Sequence, residues 1–167
     1  LQFELARGGM GVVYSGHQDF LDRRVAVKLL ALDLPGEQFA NRFRREAKIL
    51  AGIKHPNIVA CHMAGTTDEG QSYLVMEFID GPTLKNFLSS HPEMSNERWL
   101  RGFLAPVLDA LEHMHGMQVY HRDIAPDNLL ILKNGAPLLL DLGAARRVIG
   151  DMTHALTVIL KPGYAPI

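Results

Sequence analysis

The residues best suited to chemistry crowd into one stretch of this 167-residue sequence. His121-Arg122-Asp123-Ile124-Ala125-Pro126-Asp127-Asn128 is followed, thirteen positions after the asparagine, by Asp141-Leu142-Gly143. An aspartate and an asparagine five apart in a loop, with a second aspartate on a later turn, can hold a divalent cation and orient a hydroxyl. Upstream, Val25-Ala26-Val27-Lys28 sets one cation inside an apolar run, and Glu46 follows eighteen residues later beside Arg44 and Arg45. Leu5-Ala6-Arg7-Gly8-Gly9-Met10-Gly11-Val12-Val13-Tyr14 is a glycine-rich turn, where backbone N–H groups can approach an anionic phosphate with no Cβ in the way. Singly, each upstream feature has a plain structural alternative: a hairpin turn, a lysine snorkelling to water, a solvated glutamate.

The elements that would position these residues follow from periodicity. Leu1 to Ala6 and Val12 to Ser15 are β-prone runs around the glycines, and Arg23 to Leu30 alternates as a third strand. Phe39, Phe43, Ala47 and Leu50 recur every three or four positions and predict a helix from Glu37 to Ile53, stopped by His55-Pro56-Asn57. Ile58 to Ala64 and Ser72 to Phe78 read as two more strands. After Asp80-Gly81-Pro82 the pattern turns helical. A short helix covers Thr83 to Leu88. Ser95 is the expected N-cap of a long one, with Trp99, Phe103, Val107, Leu108, Leu111 and Met114 on its apolar face and Gly116 near its end. Short strands follow at Leu129 to Leu132 and Leu138 to Leu140. The expected architecture is α+β: a mainly β lobe and a mainly helical one, hinged near Met76 to Gly81, with a ligand cleft between them.

Composition narrows the function classes. An apolar fraction of 47% with 21% charged residues supports a packed core. A net charge of −1 gives no global field for DNA, RNA or an anionic membrane. The single cysteine, Cys61, excludes a disulfide framework and fits a reducing cytosol, and no apolar run in this segment is long enough to span a bilayer. The eight histidines are scattered, and only His113 and His115 are close.

Taken together and in order, the glycine loop, strand lysine, helix glutamate, hinge, Asp123/Asn128 loop, Asp141 turn and Gly163-Tyr164-Ala165-Pro166 resemble a eukaryotic-like serine/threonine protein kinase of the kind found in bacteria. The resemblance runs through the whole sequence and implies a two-lobe fold, with residues 1–79 as the nucleotide-binding lobe and 80–167 as the first part of the helical lobe. It implies ATP and Mg2+ as cofactors and a protein substrate. Lys28, paired with Glu46, would contact the α- and β-phosphates. Asp141 and Asn128 would hold magnesium, and Asp123 would accept the substrate hydroxyl's proton. Leu5, Ala6, Gly8, Gly9, Gly11, Val13, Ala26, Met76, Glu77, Ile79 and Leu130 would line the nucleotide site, with Met76 as gatekeeper and the backbone of Glu77 and Ile79 on adenine. Arg122 would read a phosphate on the activation segment, where Thr153 and Thr157 are the candidate acceptors or else ordinary loop threonines. A kinase dimer for trans-autophosphorylation and a cytoplasmic location for this portion complete the expectation.

The sequence departs from that pattern at four places. Ala6 replaces the first loop glycine and Leu142 the usual phenylalanine. Ala125 stands where serine/threonine kinases carry a lysine for the γ-phosphate, and Lys161 where they carry a threonine. Either Lys161 supplies the missing cation from a different anchor or it is a solvated loop lysine. The sequence stops at Ile167, before the remaining helices of such a lobe, so a fragment is expected, marginally stable, with apolar faces exposed along Trp99 to Met114 and Leu138 to Leu140. Two rival functions stand beside a protein kinase. One is a pseudokinase or inactive fragment that binds nucleotide or partners, and the other a small-molecule kinase with the same Asp-x4-Asn arrangement.

Overall fold

The computed structural model describes residues 1–8, 11–30 and 47–140, together with the backbone of Arg146 and Arg147. Five strands, β1 (Glu4–Gly8), β2 (Gly11–Gln18), β3 (Arg23–Leu30), β4 (Cys61–Thr66) and β5 (Ser72–Glu77), form one antiparallel sheet in the order β1-β2-β3-β5-β4. Val25 and Val27 alternate along β3, the spacing that suits β-branched side chains on one face of a pleated strand. Of the helix expected over residues 37–53, the described part, α1, spans residues 47–52 and buries Ala47 and Leu50. Ile58 pairs in parallel with Leu139 rather than opening β4, which starts at Cys61.

Past the hinge, Thr83 caps α2 (Leu84–Ser90) by accepting the Asn86 N–H at 3.2 Å. The long helix, α3 (Glu97–Gly116), is capped by Asn96, whose Oδ1 accepts the Trp99 N–H at 3.0 Å. The expected cap, Ser95, instead closes the turn over Pro92–Met94, its N–H donating to the Pro92 carbonyl. Two adjacent residues could both cap, and the preceding proline turn assigns the task. Short strands β6 (Val119–Tyr120), β7 (Leu129–Ile131), β8 (Pro137–Leu139) and β9 (Arg146–Arg147) complete the described chain, β7 pairing with β8 and β6 with β9.

One continuous core joins the two halves. Ala47, Leu50, Ile58, Leu74 and Met76 on the sheet side meet Leu84, Phe103, Val107, Ala110, Met114, Leu129 and Leu139. Leu138 and Leu139, expected to lose their partners, are 4% and 1% exposed within that core. Leu108, expected on the buried face of α3, is 63% exposed, with Leu104 one turn earlier also outward. Ala110 takes the inward position, because the buried stripe runs Phe103, Val107, Ala110, Met114 at strict three- and four-residue steps. Cys61 packs partly against the core, and burial pushes its thiol pKa up, which keeps it a small neutral apolar side chain. His113 and His115 diverge, the first against His55 and the second against Tyr120.

Candidate active site

The strand register gathers the first half of the site. Lys28 stands opposite Val13 on β2 and Leu74 on β5, and Ala26 stands opposite Met76. Directly opposed residues share a face of the sheet, and so do residues two apart, so Val13, Ala26, Lys28, Leu74 and Met76 line one surface. Lys28 is only 3% exposed. An ammonium so enclosed is tolerable only against an anion or strong acceptors. Glu46, its expected partner, lies outside the described residues, as does Gly9.

Gly8 and Gly11 differ in what they do. A Cβ on Gly8 would meet nothing within 4 Å, so its backbone is open to an approaching group. Gly11 has φ +134°, and a Cβ there would run into the Leu29 carbonyl of β3. Its glycine serves the close approach of β2 to β3. Leu5 and Ala6 on β1 are exposed.

At the hinge Met76 is buried, Glu77 exposed and Ile79 half-buried. The Glu77 N–H donates to the Ala60 carbonyl at 2.9 Å, and beyond it the Ile131 N–H donates to the Pro82 carbonyl at 3.0 Å. A Cβ on Gly81 would lie 2.6 Å from the Ile131 oxygen, so glycine is what lets the hinge lie against β7. Leu130 is 8% exposed and bridges to Thr83 at this junction.

The loop between β6 and β7 carries the acidic chemistry. His121 is 2% exposed, its Nε2 2.7 Å from the Leu140 carbonyl, while the Asp123 N–H points to Nδ1 at 3.3 Å. A carbonyl can only accept and an N–H only donate, so the ring is the neutral tautomer with its proton on Nε2. Arg122 has φ +65°, a left-handed conformation unusual for a side-chain-bearing residue and held here between two well-bonded neighbours. Asn128 Nδ2 donates to the Asp123 backbone carbonyl at 2.7 Å and to its Oδ2 at 2.8 Å, turning the Asn128 oxygen away as a group able to meet a cation. The Leu140 N–H returns to the Asn128 carbonyl at 2.8 Å, placing the residue before Asp141 against the same loop. Asp141, Thr153, Thr157 and Lys161 lie outside the described residues. Ala125 is 3% exposed, and Asp127 meets Lys85 of α2 at 3.4 Å.

Two contacts escaped the sequence reading. Arg24 of β3 lies over the Phe78 ring, 3.8 Å from its centroid. His55 binds Asp109 of α3 at 3.0 Å and accepts the Asn57 N–H at 3.1 Å, while Asn57 Nδ2 donates to the Pro137 carbonyl. His55-Pro56-Asn57 thus joins the sheet side to α3 and β8 as well as ending a helix. Only the register of β3 and β5 could have signalled the first contact, and no local pattern signals the second.

A family model described as the protein kinase domain matches residues 2–166. A probable serine/threonine-protein kinase of Streptomyces coelicolor is 41% identical over 168 residues, covering 96% of this chain and 25% of that protein. The serine/threonine-protein kinase PrkC of Bacillus subtilis is 36% identical over 159 residues, covering 94% and 24%. The chain thus spans about a quarter of the length of these curated relatives. Among solved structures, the apo form of PpkA-294 superposes with a TM-score of 0.76 at 34% identity, covering 99% of this chain and 66% of that one.

Proposed function

The chain belongs to the protein kinase family, whose domain model it matches from residue 2 to residue 166, and on that footing we propose that the protein transfers the γ-phosphate of ATP to serine or threonine hydroxyls of proteins. The observation that carries the reading is the pairing of Asp123 with Asn128 at 2.8 Å, in a loop tied by the Asn128 carbonyl to Leu140, the residue before Asp141. A loop built this way holds a carboxylate at a set angle, which is what an in-line transfer asks of a protein that does little covalent work itself.

In this reading Asp123 accepts the proton of the incoming hydroxyl as its oxygen bonds to the γ-phosphorus, and the bond to the β-phosphate oxygen breaks to release ADP. Lys28, with Glu46, holds the α- and β-phosphates. Asn128 and Asp141 would hold Mg2+, which when bound neutralises phosphate charge. Adenine lies between Val13 and Ala26 on one side and Leu130 on the other, with Met76 behind it and the backbone of Glu77 and Ile79 at its edge. Leu5, Ala6, Gly8, Gly9 and Gly11 cover the phosphates. The same chemistry extends to autophosphorylation at Thr153 or Thr157 within a transient dimer, with Arg122 as the phosphate's partner, and to work in the cytoplasm. Among the described residues no helix is long and apolar enough to cross a membrane.

The test is the intact mass of the full chain after incubation with Mg2+, ATP and a generic protein substrate, beside Asp123→Asn. Phosphate gained by chain or substrate in the parent alone is the expected result. Equal masses in the two, with nucleotide still bound, would leave the pseudokinase reading standing instead.

A further inference from the structure

Arg24 lies on β3 two residues before Ala26 and four before Lys28, on the face of the strand that carries both. It is exposed, and its guanidinium lies 3.8 Å from the centroid of the half-buried Phe78 ring. Val25 is registered opposite Glu77, so the last rung between β3 and β5 falls immediately before Phe78. The side-chain contact therefore extends the attachment to β3 one residue into the hinge, after the backbone ladder has ended.

Phe78 is the Cα joining two planar peptide units. One carries the Glu77 carbonyl and the other the Ile79 N–H, and only φ and ψ of Phe78 set the angle between them. These are the groups that would meet the edge of adenine. A ring held against a rigid strand removes most of the freedom of those two dihedrals. We propose that Arg24 is a positioning residue for nucleotide specificity: by holding the Phe78 ring against β3, its guanidinium sets the two hinge peptides at the angle an adenine edge requires. The proposal rests on the nucleotide reading of the hinge given above. Guanine offers a different order of donors and acceptors along that edge, so a rigid hinge discriminates between the bases and a loosened one discriminates less. Phosphate contacts, made at the opposite end of β3, are common to both nucleotides.

The experiment measures affinities of the full chain for ATP and GTP by displacement of a fluorescent nucleotide, with melting temperatures recorded alongside. Arg24→Gln should lower the ATP-to-GTP affinity ratio by about two- to fivefold, the worth of an exposed cation–π contact, with the melting temperature lowered by no more than a few degrees. Arg24→Lys, which keeps a cation over the ring, should retain most of the ratio. Phe78→Leu should match Arg24→Gln, and the double variant should fall no further than either. An unchanged ratio in Arg24→Gln, or additive losses in the double variant, overturns the proposal while leaving the hinge as the nucleotide site. A parent chain that binds neither nucleotide overturns both.

Discussion

His121 Nε2 donates to the carbonyl of Leu140 at 2.7 Å, and this buried bond joins the loop bearing Asp123 to the residue directly before Asp141. The imidazole works as a bridge: one nitrogen donates to Leu140, the other accepts from the Asp123 backbone. The residue proposed to take the hydroxyl proton and the chain leading into the proposed Mg2+ ligand are thereby tied through one rigid ring.

Replacing that ring by His121→Phe preserves volume and aromatic packing while stranding the Leu140 carbonyl and the Asp123 N–H. Each orphaned buried group costs about 1–3 kcal/mol. At about 2–4 °C per kcal/mol for a chain of this length, the melting temperature should fall by several degrees. His121→Gln, able to donate to Leu140, should recover part of the loss. A His121→Phe protein that melts with the parent would show the bridge to be idle.

Asn128 makes a sharper prediction, because its amide touches Asp123 twice. Asn128→Ala removes both bonds and with them this restraint on the angle of the carboxylate. A displacement of about 1 Å at a reacting group can cost 10²-fold in rate. Turnover at saturating ATP should fall by at least that much, with the fold intact by circular dichroism. Asn128→Asp should be as damaging for the opposite reason, since a second carboxylate would stand where a donor met Asp123. Turnover within a factor of two of the parent in either variant would remove Asp123 from the reacting centre.

The outline of this arrangement was legible in the sequence. Alternation from Arg23 to Leu30 placed Lys28 on a strand, and the break at Asp80-Gly81-Pro82 marked the change from sheet to helix. What escaped was everything decided by distant partners. Nothing near Arg24 points to Phe78, and nothing near His55 points to Asp109, because those contacts are set by how strands register and how a loop crosses a helix. The choice of Asn96 over Ser95 depended on where the Pro92–Met94 turn ended. The exposure of Leu108 depended on which residues of α3 fall on the Phe103–Met114 stripe, and Ala110 was too small to be weighed as a core residue.

The glycines show the same division between local type and spatial cause. Both Gly8 and Gly11 look like phosphate-loop residues in the sequence, but only Gly11 is required by the fold. Gly11→Ala must place a methyl against the Leu29 carbonyl at φ +134°. Strain of this kind costs about 1–3 kcal/mol, and a lower melting temperature is the expected result. Gly8→Ala meets no atom within 4 Å and should leave the melting temperature unchanged while weakening ATP binding. If Gly8→Ala instead destabilised the chain and left nucleotide affinity intact, Gly8 would be a turn residue and nothing more.

Ala125 and Lys161 give the last prediction, which concerns where the cation for the γ-phosphate comes from. If Lys161 supplies it, Lys161→Ala should cut turnover heavily, and Ala125→Lys in that background should restore part of it. Burial of Ala125 at 3% exposure adds a condition. The stem of a lysine placed there must be packed into a filled wall before its ammonium reaches the site, and overpacking of this sort costs about 1–3 kcal/mol. The rescued double variant should therefore recover rate while melting several degrees below Lys161→Ala. Near-parent turnover in Lys161→Ala would make Lys161 a solvated loop residue and would require the charge from another group.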